Sequence, residues 1–512
     1  MEGTSNQNNK RIAKNTIFLY IRMVFLMAIS LFTSRVLLNA LGVVDFGIQN
    51  VVGGFVSMFQ LVSGTMATTI SRFFTYEMGL GNKQKLNVIF STSINIQIAF
   101  IVLIFILAES FGIWFLNYKM IIPPERLIAA NWVFQLCLIS FCINIISVPY
   151  NAIIIAHERM LTFAYISILD AILKLLIVYA VIISPWDRLI VYSFLLCMVA
   201  ILIRLIYGIY CKKHFEECTY HYVWNKPLLI KMFGFAGWNY LGTGASILRT
   251  QGLNVLMNLF FGTTVNTAKG LVTQVESAVT QFVGNFTMAL NPQITKSYAH
   301  GDKEYMYTLV CMGAKYSYFL MLVIALPLAF EAHYVLELWL GNVPEFTDIF
   351  LQLTLLYVTI DVLSSTLVTS IQATGDIKKY QLFVGLITIT IFPISYVLFK
   401  IGLPPYSCFI VSAIIMAVKL CIQLPIINEK AGLPVMFYVK RVIIRVVPVS
   451  LLIVIVPFLL YFYMHEGLLR FIVIILLSII WGLVLVYAIG MEKNEKAFVN
   501  NKLNALKQKI IK

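Results

Sequence analysis

Residues 468–490 read LLRFIVIILLSIIWGLVLVYAIG, a run whose only charge is Arg470. As a helix it would extend about 34 Å at 1.5 Å per residue, enough to cross the roughly 30 Å of a bilayer's hydrocarbon. Runs of similar length lie at roughly 16–41, 45–70, 87–116, 129–155, 163–183, 189–211, 233–262, 266–290, 306–330, 348–372, 380–400, 405–427 and 442–463. The pattern predicts an all-α integral membrane protein with about fourteen transmembrane helices. Composition agrees: of 512 residues 60% are hydrophobic and 12% charged, with a mean hydropathy of +0.87. A water-soluble surface needs about twice that charge.

The net charge of +15 does not point to nucleic acid. Its lysines and arginines sit in short segments between apolar runs, with no basic groove interleaved with aromatics. They also fall on alternate segments. One set holds Lys10, Arg11, Lys14, Arg72, Lys83, Lys85, Arg159, Lys212, Lys213, Lys226, Lys231, Lys296, Lys303, Lys378, Lys379, Lys430, Lys440, Arg441 and six tail lysines; the other holds only Lys119, Arg126, Arg188, Lys400 and Arg470. The positive-inside rule then puts both termini in the cytoplasm and makes the anionic inner leaflet a partner. The run after MEGTSNQNNKRIAK is too long for a signal-peptide core, so the first helix is expected to be retained. In the tail, 491–512, Val499, Leu503, Leu506 and Ile510 share one helical face, which fits either a basic amphipathic helix on the membrane or a frayed end.

Enzyme classes find little support. No long outer loop exists to carry catalytic residues. The six histidines lack metal-ligand spacing, no GxSxG, HExxH or P-loop occurs, and the eight cysteines form no CxxC pair.

The chain resembles itself at a shift of 220. Tyr20 meets Tyr240, Gly42 meets Gly262, Val52 meets Val272, Ser57 meets Ser277, Gly64 meets Gly284, and Gly81-Asn82-Lys83 meets Gly301-Asp302-Lys303. Further on the shift becomes 217, and Ala156-His157-Glu158-Arg159 falls on Ala373-Thr374-Gly375-Asp376. Six helices per copy, an even number, give parallel repeats, as in transporters that rock two halves about a midplane site. The expected organisation is a six-helix lobe over 1–211, a cytoplasmic linker 212–232, a second six-helix lobe 233–427, two extra helices in 428–490, and the tail.

Three segments carry a family resemblance: TSRVLLNALGVVDFGIQN (33–50), SRFFTYEMGLGNKQK (71–85) and IQATGDIKKY (371–380). With the element Leu41-Gly42-x-x-Asp45-Phe46-Gly47 they resemble the polysaccharide-transporter branch of the multidrug/oligosaccharidyl-lipid/polysaccharide (MOP) exporter superfamily. The resemblance implies a bacterial inner-membrane flippase working by alternating access. It would carry a polyprenyl-pyrophosphate-linked oligosaccharide (an O-antigen, capsule or other surface-glycan unit) from the inner to the outer leaflet, without an organic cofactor. Glycan-assembly proteins in the same membrane are the implied partners. The last two helices correspond to the pair that related lipid II flippases use as a lipid-tail groove.

Charges inside the spans mark candidate sites, because each costs at least about 2.5–3.5 kcal/mol in hydrocarbon unless it faces a cavity or a partner. Arg204, Lys419 and Arg445 lie near enough to the cytoplasmic end to snorkel; Asp170 and Lys174, spaced i, i+4, read as a structural pair. Arg249 lies mid-span among Asn239, Thr243, Ser246, Thr250, Gln251, Asn254 and Asn258, and the next span adds Lys269, Thr273, Gln274, Glu276, Gln281 and Asn285. That density of polar groups predicts a wet cavity wall. Arg249, Arg22, Arg35 and Lys269 are the candidate pyrophosphate ligands, since the guanidinium fork suits phosphate; Asn254 and Gln281 are candidates for sugar contacts. Glu276, Asp361 and Asp45 could bind a coupling proton or sodium ion, act in gating, or simply hydrogen-bond between helices. A lipid II-type flippase fits the same residues. A cation-coupled multidrug exporter would call for a surplus of acids instead, and a membrane glycan enzyme fits least.

Overall fold

The computed structural model describes residues 2–57, 60–118, 122–340, 343–497 and 500, and leaves out a number of side chains within them, those of Lys10, Arg11, Lys14, Arg35, Phe46, Asn50, Gln251 and Asn258 included. Among the described residues there are helices and turns but no strand. In chain order the longer helices are α1 (Glu2–Ser57), α2 (Gln60–Gly79), α3 (Lys83–Tyr118), α4 (Pro124–Ala156), α5 (Met160–Ile183), α6 (Arg188–His214), α7 (Lys226–Ile247), α8 (Leu253–Ala299), α9 (Lys303–Phe330), α10 (Thr347–Thr374), α11 (Lys378–Lys400), α12 (Ser407–Ala431), α13 (Val435–Tyr463) and α14 (Leu468–Gly490), with a short helix, Ala332–Leu340, between α9 and α10. Ten of these, α3 to α6 and α9 to α14, are long and apolar enough to cross a membrane. The other labelled helices, more polar, lie over the remaining expected spans. Large apolar side chains stay exposed on the spanning helices, Ile183 at 83% and Leu469 at 70% among them, as lipid-facing surfaces require. The chain is a multi-pass membrane protein.

Two of the labelled helices are not straight rods. α1 breaks at Gly42, whose φ of 78° and ψ of 170° leave helical space. In α8, the Lys269 ammonium sits 2.7 Å from the Asn254 carboxamide oxygen. Fifteen residues of straight helix would hold those positions about 22 Å apart, so the chain doubles back between them, as two antiparallel spans demand.

The repeat seen in the sequence returns as backbone geometry. Gly81 (φ 71°) ends α2 and Asn82 caps α3 by accepting the Lys85 amide; 220 positions on, Gly301 (φ 77°) ends α8 and Asp302 caps α9 by accepting the Tyr305 amide. The AHER and ATGD turns also agree: Glu158 (φ 58°) and Gly375 (φ 79°) occupy the same left-handed position after α4 and α10. These are glycine-type helix stops, where the chain reverses after its last turn.

The helices gather into two compact units, Met1–Tyr240 with Thr295–Gly301, and Leu241–Ile294 with Asp302–Lys512. In the first unit Met66, Ile70, Phe74 and Phe90 form the inner core, with a second cluster around Val133, Phe134 and Leu138. The segment between α6 and α7 runs along α3 there. Asn87 donates to the carbonyls of Glu217 and Thr219, Ser91 accepts the His221 amide, and Asn95 donates to the Val223 carbonyl. Positions four apart on one helix face thus bind an extended strap. In the second unit Met257, Met321, Leu336 and Phe350 lie at the centre.

Two ion pairs bind α14 and the segment after it to α9. Arg470 donates to both oxygens of Glu331, at 2.6 and 2.9 Å, and both side chains are buried. Lys315, fully buried within α9, is held by both oxygens of Glu495 at 2.9 and 2.7 Å. Arg470 is therefore a buried, paired group rather than a loop charge. Arg445, expected to snorkel, donates to the carbonyls of Ile489 and Met491. The amphipathic face of the tail, Val499, Leu503, Leu506 and Ile510, lies outside the described residues.

At the other end of the first unit Arg126 bridges two carboxylates, Asp45 (2.8 and 2.5 Å) and Asp187 (2.5 and 3.2 Å). Burial pushes the Asp187 carboxyl up. The bond from Arg126 and the amides of Ile190 and Leu189 outweigh it and leave the group below its ordinary value.

Glu331→Gln strands the Arg470 guanidinium in the core, and such one-sided breaks cost on the order of 3–5 kcal/mol. A clear drop in the melting midpoint in detergent is expected, with most of it recovered in Glu331→Leu/Arg470→Met. The depressed Asp187 carboxyl contributes stability above its unfolded pKa that is lost as pH falls through its folded one. The melting difference between the parent and Asp187→Asn should therefore hold from pH 8 to 5 and shrink only below about pH 4; a difference already gone at pH 6 would contradict it.

Candidate functional site

The second unit contains a cleft with about 340 Å³ of space not filled by atoms, part of it open to the outside. Its lining includes Arg249, Thr250, Lys269, Thr273, Glu276, Thr354, Tyr357 and Ser412. Between α7 and α8 the backbone makes a π-helical turn, Leu248–Gly252, which adds a residue to the turn and re-aims the side chains that follow. Gly252 sits so close to Phe392 that a Cβ there would come within 2.7 Å of the ring. Arg249 is on this turn. Its guanidinium lies 3.8 Å from Glu276 Oε1 and 5.3 Å from the centre of the Tyr357 ring.

Lys269 faces Arg249's turn from the returning arm of α8. Its ammonium donates to the Thr250 carbonyl at 3.0 Å and to Asn254 Oδ1 at 2.7 Å, and the residue is buried. Two neutral acceptors thus hold a cation with no carboxylate bonded to it among the described residues. Tyr357 and Asp361 are one turn apart on α10. Asp361 Oδ1 lies 2.5 Å from the Lys419 ammonium of α12. Lys419 therefore pairs inside the unit and does not snorkel. Beyond it, Gln423 donates to the Ser364 hydroxyl and accepts from Tyr380.

The structure thus brings three of the sequence candidates, Arg249, Lys269 and Glu276, into one cleft, with Asn254 behind it holding Lys269 and Asp361 a turn of helix from its wall. Gln281 is exposed further along α8 and does not line it. Arg22 belongs to the first unit, where its guanidinium stacks 4.6 Å from the Phe163 ring and its Nε is buried without a hydrogen bond among the described residues. The Arg35 side chain lies outside the described residues. Asp45 is committed to Arg126, and Asp170 pairs with Lys174 at 2.7 Å, as their spacing implied. Arg204, another snorkelling candidate, stacks 3.9 Å from the Tyr150 ring. Sequence reasoning missed Thr354, Tyr357 and Ser412. The 354, 357, 361 spacing was the available signal, because it puts a hydroxyl, a phenol and a carboxylate on one helix face.

No protein-family model and no characterised protein sequence matches the chain. Solved structures do. A MATE transporter of Vibrio cholerae in its bent form superposes with a TM-score of 0.66 at 15% identity, over 85% of this chain and 99% of that one. A multidrug-resistance MATE transporter of the MOP superfamily in an outward-facing conformation gives 0.62 at 13%, over 82% and 96%. A MOP superfamily transporter of Pyrococcus furiosus, described as having a binding pocket of reversed polarity that suggests a different function, gives 0.64 at 12%, over 82% and 96%. At such identities the likeness is one of fold: this chain has a MATE-like transporter fold.

Proposed function

We propose that the protein is a membrane transporter that works by alternating access and moves an anionic lipid-linked oligosaccharide, a polyprenyl-pyrophosphate glycan, from the inner to the outer leaflet. The observation that carries this reading is the pair Arg249 and Lys269 in one cleft, where two cations meet a single carboxylate, Glu276, among hydroxyls. Lys269 is held by neutral acceptors, so its charge remains for an incoming anion. The Arg249–Glu276 contact, at 3.8 Å, is an approach of charges without a tight hydrogen bond. A pyrophosphate brings more negative charge than Glu276 and can take over that guanidinium. A transporter of similar fold from Pyrococcus furiosus is likewise described as having a binding pocket of reversed polarity that suggests a different function.

A second reading, a cation-coupled multidrug exporter, is favoured by one feature: Glu276 and Asp361 supply carboxylates in and beside the cleft. In the first reading the same two groups are candidates for a coupling proton or sodium ion. Both readings place the protein in a cell membrane with lipid as its surroundings.

Arg249→Ala should reduce flipping of a labelled polyprenyl-pyrophosphate sugar in liposomes at least tenfold at normal insertion levels. Arg249→Lys should retain part of it, because an ammonium keeps the charge but loses the fork. Glu276→Gln should tighten binding of the anionic lipid. Unchanged flipping in Arg249→Ala, with transport of a cationic dye that Glu276→Gln abolishes, would transfer the case to the exporter reading.

A further inference from the structure

Glu158 stands out in the first unit. It is the only described residue besides Phe346 that is not glycine and has a positive φ (58°). Its repeat mate, Gly375, makes the same turn with the residue that this backbone favours. A side chain kept at a position suited to glycine calls for a reason. Here its carboxylate is 1% exposed and lies 2.7 Å from the Lys296 ammonium, near the end of α8. The turn itself is fixed from both sides: the Glu158 carbonyl accepts from Asn15 of α1, and His157 meets Glu217 of the strap at 2.6 Å while stacking on Phe215.

The last turn of α8, Thr295–Gly301, is a member of the first unit although the chain on either side of it belongs to the second. Its close fit is local. A Cβ on Gly79, at the end of α2, would come within 2.6 Å of the Ala299 Cβ and 3.0 Å of the Lys296 carbonyl, and Tyr76 and Tyr298 pack with ring centres 6.5 Å apart. The ion pair has no counterpart in the repeat: the mate of Lys296 is Tyr76, and the mate of Glu158 is Gly375.

We propose that Glu158 and Lys296 form a releasable charge latch that holds the last turn of α8 in the first unit, and that its opening is a step of the transport cycle. The latch rests on the transport reading for its purpose but not for its existence. A surface pair would be too weak to matter, whereas a pair with one member fully buried holds well when closed and gains hydration for both ions when it opens. Glycine at position 158 would make the turn without strain, so the glutamate is there for its carboxylate.

Ser297, buried in the same turn, supplies the reporter. In a background without the natural cysteines, Ser297→Cys should react slowly with a membrane-impermeant maleimide. Adding Glu158→Gly, which keeps the turn, should raise the rate at least fivefold, as should Lys296→Met. The swap Glu158→Lys/Lys296→Glu should bring it back towards the parent. A rate unchanged in both single variants overturns the latch, and so does a swap as reactive as the singles. The readout needs no substrate, so a latch that passes while no lipid is flipped would count against the proposed function alone.

Discussion

A charge in hydrocarbon has to find an opposite charge, a set of hydrogen-bond acceptors or water, and this constraint organises the molecule. Lys315 finds Glu495, Arg470 finds Glu331 and Lys419 finds Asp361. Each pair ties together segments that hydropathy alone leaves unrelated. Apolar packing between helices gives little direction in a lipid solvent, because the tails are as apolar as leucine. The paired charges supply the direction.

Against that background the groups that depart from simple pairing acquire meaning. Lys269 rests on a carbonyl and an amide oxygen, Arg249 stands 3.8 Å from its carboxylate, and Arg22 lies on a phenyl ring. Arg470–Glu331, Lys315–Glu495, Lys419–Asp361 and Lys296–Glu158 close to 2.5–2.7 Å. In the cleft, Lys269 and Arg249 have no carboxylate that close among the described residues, which is the condition for exchanging a partner with a ligand.

Much of this was legible in the sequence because it depends on local pattern. The apolar runs predict the spans, and the self-match at shifts of 220 and 217 pairs the turns at 81–83 with 301–303 and at 158 with 375. The polar density around 239–285 predicts the cleft, since it is a property of two neighbouring spans. The pairings were not legible. The partners of Lys419, Arg470 and Lys315 are 58, 139 and 180 residues away, and nothing in a one-dimensional pattern says which acid will meet which base. Arg470 shows the failure best: at the rim of an apolar run it reads as a loop charge, and only Glu331, far back in the chain, makes it a core residue.

The repeat sharpens the argument about Glu158. Two copies of one backbone plan solve the same turn, one with glycine and one with glutamate, so the second copy serves as a control for the first. What the fold needs is a left-handed residue, and Gly375 meets that need without strain. What glutamate adds is a buried anion aimed at Lys296, at a point where a turn from late in the chain has joined the first unit. Strain accepted in one repeat and avoided in the other cannot be a requirement of folding the turn. It goes with a contact that Gly375 has no side chain to make, the ion pair with Lys296 at the end of α8.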